Sequence, residues 1–170
     1  TNDPSVLGYP IAAFHDIETR LRQDVRRTLA TKLAESGVAV DIYGDASWKS
    51  QEGKFIRYMG ALNYKDIQSV FSNYRYVLNP QPPQTRNGSH ERVMDALSAG
   101  TLPITVTNGF YRDEFGAGIV HFKSGVCGIE MNLASATDYG PRVTACQEVL
   151  ARNHTWATRA KTLLERFCRC

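Results

Sequence analysis

Asn87-Gly88-Ser89-His90 leads directly into Glu91-Arg92-Val93-Met94-Asp95. A glycine, short polar side chains, an arginine and a carboxylate thus crowd the start of a helix-forming stretch. A helix start presents unpaired backbone N–H groups and the positive end of its dipole. Gly88 lets such a backbone approach an anion closely. A diphosphate is the natural guest. The helix sorts by face. Val93, Ala96, Leu97 and Gly100 recur at i, i+3, i+4 and i+7 and face a core, whereas Glu91, Asp95 and Ser98 lie on a polar face. Arg92 and Asp95 are one turn apart. In that position a carboxylate accepts hydrogen bonds from ribose hydroxyls and an arginine answers phosphate. The same spacing also describes a solvated helix face with an i,i+3 ion pair, and spacing alone favours that plainer reading.

The elements that must position these residues alternate along the chain. Residues 1–8 read as a tail or linker, and 9–170 as one domain. Tyr9–Phe14 reads as a short strand. Leu21, Val25, Leu29 and Leu33 predict a helix, with Arg20, Arg22, Arg26 and Arg27 on other faces, and Gly37 closes it. Val38–Tyr43 reads as a strand stopped by Gly44-Asp45. Phe55–Met59 is another short strand. Asn63 caps a helix carrying Ile67, Val70, Phe71 and Tyr74. Tyr76–Leu78 is a strand, and Pro80, Pro82 and Pro83 open a loop that runs to Gly88. Ser89–Ala99 is a helix ended by Gly100. Leu102–Val106 is a strand, Phe110–Phe115 a short helix, and Ile119–Phe122 the last strand. Pro141–Arg152 and Thr155–Phe167 are helical.

This alternation predicts an α/β fold: a Rossmann-like parallel sheet with helices on both faces. A flavodoxin-like domain is the alternative. Ligands of such sheets bind at the carboxyl ends of the strands. The candidate loops follow Phe14, Tyr43, Met59, Leu78, Val106 and Phe122, and the one after Leu78 carries the most chemistry.

Composition narrows the classes. The chain has 170 residues, 42% of them apolar and 22% charged, which fits a globular domain with a real core. A net charge of +3 is too weak to argue for nucleic acid. No apolar run approaches the roughly 20 residues that span a bilayer, and no signal peptide is visible. The expected setting is cytoplasmic or membrane-peripheral. Cys127, Cys146, Cys168 and Cys170 are too sparse for a disulfide scaffold. The terminal Cys168 and Cys170 have only His154 as a close histidine, so no metal is expected there. The sequons at Asn87 and Asn153 are read as chance.

The segment from His90 to Thr105, His-Glu-Arg-Val-Met-Asp-Ala-Leu-Ser-Ala-Gly-Thr-Leu-Pro-Ile-Thr, resembles the donor-site helix and following strand of group 1 glycosyltransferases. The branch associated with spore-maturation proteins is the closest in pattern. Gly60-Ala61-Leu62 with Tyr64-Lys65-Asp66-Ile67 resembles the family's turn near the nucleotide base. Tyr74–Asn79 resembles the strand leading to the donor loop. His154-Thr155-Trp156 with Arg159-Ala160 resembles the closing helix. The resemblance covers about residues 38–168 and is weak at 123–140.

The resemblance implies the C-terminal, donor-binding half of a GT-B fold. It implies transfer of a sugar from a nucleoside diphosphate, of uridine or guanosine, to an acceptor hydroxyl without a bound metal or other cofactor. An N-terminal acceptor domain or partner subunit would complete the enzyme, and this chain without it would be inactive. The residues implied in donor binding are Asn87, Gly88, Ser89, His90, Arg92, Asp95, Gly60 and Arg20. Asp95 matches the family's ribose-binding acid. Asn87 stands where the family has its first acid, near the transferred sugar, so no catalytic residue is assigned and retention or inversion stays open. The competing function is a non-catalytic nucleotide-binding or flavodoxin-like signalling module, which Asp16 and Lys123 imitate loosely.

Other residues have plainer readings. His15-Asp16 lacks a third partner for acid–base chemistry. Gly44-Asp45 reads as a turn. Trp48 reads as packing down and Trp156 as anchoring the last helix.

Overall fold

The structure is a computed structural model describing residues 4–80, 87–125, 128–131, 133 and 135–167. Pro82, Pro83, Cys127, Cys168 and Cys170 lie outside the described residues. The chain divides into two compact units, Thr1–Leu62 and Asn63–Cys170.

In the first unit, helix α1 (Pro4–Glu35) precedes β1 (Val40–Tyr43) and β2 (Ile56–Gly60). The strand expected at Tyr9–Phe14 is therefore helical. Ile11 is its single β-branched residue, and Ala12 and Ala13 are strong helix formers. Propagation from the long helix downstream carries the segment into α1, despite the cost of Pro10 in a helix interior. The apolar stripe of α1 is only partly covered. Leu29, Ala30 and Leu33 are buried, while Ile17, Leu21 and Val25 are exposed. Gly37 adopts a φ of +83°. Its N–H bonds the Ala34 carbonyl, and Val38 N–H bonds the Leu33 carbonyl, both at 3.0 Å. These two bonds form the glycine-dependent helix stop expected from sequence.

Strands β1 and β2 pair in parallel. Ala30, Ile42 and Ile56 form the core beneath them, with Ala34, Val40 and Trp48 packed against it. Trp48 thus packs down, as expected. Asp41 and Arg57 face each other in the register and form a two-pronged ion pair at 2.7 and 2.8 Å. Asp45 caps a 3₁₀ turn over Ala46–Gln51 by accepting the Ser47 N–H. Bonds from Ser47 hold its carboxyl below the usual range. Gly44-Asp45 is therefore a structural turn.

The second unit runs α2 (Ile67–Phe71), β3 (Tyr76–Asn79), α3 (Glu91–Ser98), β4 (Leu102–Val106), α4 (Gly109–Phe115), β5 (Val120–Gly125), β6 (Gly128–Met131), α5 (Tyr139–Asn153) and α6 (Trp156–Phe167). The sheet order is β3-β4-β5-β6. The first three strands are parallel, and β6 pairs antiparallel with β5. Strand β6 was not foreseen. The last strand expected was Ile119–Phe122, whereas β5 continues to Gly125, which pairs with Gly128 in the ladder.

Both sheets are thus built on parallel pairs flanked by helices, the mixed α/β arrangement expected of a Rossmann-like half. Strand β4 is buried from Leu102 to Thr105, as a central parallel strand should be. Val93, Ala96 and Leu97 of α3 are fully buried, which matches the face read from their spacing. Gly100 closes α3 as Gly37 closes α1: its φ is +79°, and Thr101 N–H bonds the Ala96 carbonyl at 2.9 Å. The buried Thr101 hydroxyl donates to Phe71 and Tyr74 carbonyls, and Gln147 of α5 donates to the Leu97 carbonyl at 3.0 Å. These bonds tie α2, α3 and α5 to one end of the sheet. No described helix is long and apolar enough to cross a membrane.

Candidate functional site

The carboxyl ends of β3 and β4 form the floor of the site. Asn79, the last residue of β3, is fully buried and opposes Thr105 in the register. Its side-chain amide donates to the Thr105 hydroxyl at 3.3 Å. Its carbonyl oxygen accepts from Arg92 at 3.4 Å. A buried amide needs such partners, and here they aim an arginine at the strand ends.

His90 caps α3 with extended backbone, and its Nδ1 accepts the Arg92 N–H at 3.2 Å. A nitrogen that accepts carries no hydrogen, so the imidazole in this cap bears its hydrogen on Nε2. The segment before the helix is tied to α4 at two points. Asn108 donates to the Gly88 carbonyl at 3.2 Å, and His90 N–H donates to the Tyr111 hydroxyl at 2.8 Å. Asn108 also caps α4 by accepting the Tyr111 N–H at 2.8 Å. Tyr111 is fully buried, and burial raises its phenol pKa.

Tyr111→Phe removes the acceptor of the His90 N–H from a part-buried site. We expect a loss of about 1–2 kcal/mol of stability, with faster amide exchange at His90 than in the body of α3. Equal exchange in mutant and wild type would show that this bond does not hold the loop.

An open cleft of about 800 Å³ lies beside this loop. Asn87 lines one side, and Asn108, Gly109, Phe110, Arg112 and Asp113 line the other. A Cβ on Gly109 would stand 3.4 Å from the Asn87 side-chain oxygen, so this wall approaches the loop closely. Among the described residues, no three of His, Cys, Asp and Glu are grouped to hold a metal ion.

The residues expected from sequence fall in two places. Asn87, Gly88, Ser89, His90, Arg92 and Asp95 share the loop and first turns of α3 in the second unit. Asn87 is exposed, and the other five are half-buried. Gly60 ends β2 in the first unit with a φ of +88°, a conformation that favours glycine. Arg20 is an exposed residue in the middle of α1. The helix expected around it is present, but the strand expected before it at Tyr9–Phe14 is part of the same helix. Arg22 likewise sits on α1, paired with Glu18 one turn away. His15 and Asp16 are exposed on the same helix.

Sequence reading missed Asn79, Asn108, Tyr111 and Arg112. The Asn108-Gly109 pair after a buried strand was the available signal, since asparagine before a helix start is a preferred cap.

Burial raises the Asp95 pKa above the ordinary 3.8, reinforced by the Glu91 charge and opposed by Arg92 and His90. The folded state therefore holds this proton more tightly than the unfolded chain. The associated stability is present below pH 3.8 and is lost as pH rises through the raised value. At neutral pH, Asp95→Asn should melt slightly above wild type, with the gap closing below pH 3.8. A gap independent of pH would rule out ionisation as its cause. A carboxylate kept at such a cost is a functional candidate.

Comparison with known proteins adds one finding. The model of a family described as "Glycosyl transferase-like" matches residues 22–165. The search of curated proteins found no match, and neither did the search of solved structures.

Proposed function

The chain belongs to the glycosyl transferase-like family, and from that premise we propose that its second unit holds a nucleoside-diphosphate sugar at the start of α3. One observation carries this reading. The Asn87–His90 loop is pinned by Asn108 and Tyr111 so that the α3 N-terminus and Arg92 share one strand-end floor.

In this reading the backbone N–H groups around Gly88 and Ser89 take the diphosphate. Arg92, seated on Asn79, answers its charge. Asp95 accepts hydrogen bonds from the ribose hydroxyls. Asn87 lies toward the transferred sugar and offers an amide where group 1 enzymes carry an acid. An acceptor hydroxyl attacks the anomeric carbon, the bond from that carbon to the diphosphate breaks, and the hydroxyl proton passes to the departing diphosphate or to solvent. The positive end of α3 and Arg92 stabilise the departing diphosphate, so the proposed reaction uses no metal. The base is uridine or guanosine.

The family resemblance extends the proposal to a GT-B architecture of the spore-maturation-like branch. A second Rossmann-like domain then faces the donor site and binds the acceptor, in a cytoplasmic or membrane-peripheral setting.

Titration with UDP, GDP and ADP, by calorimetry or NMR, tests the donor site. At least one should bind, and Asp95→Ala should weaken it about tenfold through loss of charged hydrogen bonds. Folded protein that binds none of them would remove the donor-site reading. Unchanged affinity in Asp95→Ala would remove the ribose role alone.

A further inference from the structure

The wall of the cleft is held from behind by a second cluster. Helix α5 ends at Asn153, and the chain turns at His154 before Thr155 caps α6 by accepting the Thr158 N–H at 3.1 Å. At this corner His154 Nε2 stands 3.1 Å from Glu114 Oε2. The Asn153 amide donates to the same oxygen at 3.2 Å. A carboxylate oxygen accepts, so Nε2 carries the hydrogen between them. The His154 side chain is 9% exposed. Its ring stacks on Phe115 and meets the edge of Phe110, each at 5.6 Å between centroids. Phe110 is itself a cleft residue.

Helix α4 is therefore gripped at both ends. Asn108 and Tyr111 bind its first turn to the Asn87–His90 loop, and Glu114 and Phe115 bind its last turn to the α5–α6 corner. A helix this short has few internal bonds to hold its place, so its position depends on these grips. Exposed Trp156, expected as the anchor of α6, takes no part: it is 84% exposed and carries Arg159 over its ring at 5.8 Å. His154, its near neighbour, is the buried side chain of the motif.

We infer that Glu114 and His154 are positioning residues for sugar-nucleotide binding, fixing α4 so that Gly109, Phe110 and Arg112 stand at the right distance from Asn87. The inference rests on the donor-site reading, but its first test does not. Amide exchange in the ligand-free chain reports the position of α4 directly.

Glu114→Ala should accelerate exchange at Tyr111 and Arg112 while leaving the amides of α3 and α5 near wild-type rates. It should also weaken UDP or GDP binding about tenfold, as small displacements of positioning groups do. Glu114→Gln keeps an oxygen that accepts both bonds and should stay close to wild type in both measurements. His154→Ala should resemble Glu114→Ala, and the double variant should lose little more than either.

Uniform acceleration across the unit with unchanged affinity would make the pair structural only and overturn the inference. So would a Gln variant as damaged as the Ala variant. If wild type binds no nucleoside diphosphate, the donor reading fails, and the exchange pattern still decides whether this pair positions α4.

Discussion

Gly118→Ala should destabilise the chain by about 2 kcal/mol, within the range for overpacking a tight interior. A Cβ at this position would stand 2.4 Å from the Cys146 sulfur. Carbon and sulfur cannot approach so closely, and Cys146 is 1% exposed on α5, so the sulfur has no open side to move into. The contact joins the turn before β5 to α5. At this chain length the shift corresponds to a melting temperature lower by about 5 °C. Cys146→Ala removes the obstructing atom, so the double variant should be more stable than the sum of the two single losses. Simple additivity of the two changes would refute a clash at the sulfur. Thiol chemistry offers a second readout. Burial pushes the Cys146 thiol up to about 11, so the native group stays protonated and inert near neutral pH. Gly118→Ala should raise its alkylation rate, followed on the peptide that contains Cys146.

Arg92→Ala should lower UDP or GDP affinity by roughly ten- to a hundredfold, the worth of a charge-assisted hydrogen bond. Stability should change far less, because the Arg92–Asn79 bond is long at 3.4 Å and Asn79 keeps its bond to Thr105. Arg92→Lys should recover only part of the loss, since a point charge does not reproduce the planar fork that grips phosphate oxygens. The affinity that remains should also depend less on salt, because a screened charge pair is gone. Titration alongside thermal melting separates the two effects. Full affinity in Arg92→Ala would shift the anion site away from α3. A parallel fall in stability and affinity would mean that Arg92 acts by holding the fold. Arg112, the cationic residue in the cleft wall, provides a contrast: its side chain is 67% exposed beside Asp113, so its loss should leave stability unchanged.

Most elements were legible because their signals are local. Periodicity found the buried face of α3, and glycine at 37 and 100 found the ends of α1 and α3. Strand β4 coincides with the run of apolar residues from Leu102 to Val106. Local signals failed where two helical or extended readings competed. Tyr9–Phe14 resembles a short strand in isolation and becomes helix as the continuation of α1. Strand β6 lies beyond Ile119–Phe122, the last strand expected, and is defined by its antiparallel pairing with β5, which runs on to Gly125.

The sequence by itself determined where α3 begins and which of its faces is buried, since capping residues and apolar spacing are local signals. It also carried the family, through the pattern from His90 to Thr105. Tertiary structure decided what surrounds that segment. Asn79 and Thr105 meet across two strands, Tyr111 reaches back to His90, and Glu114 meets His154 from residues far apart in the chain. No local pattern announces such pairs, because each partner alone is an ordinary polar residue. They acquire meaning when parallel strands and their crossovers bring distant loops to one edge of the sheet.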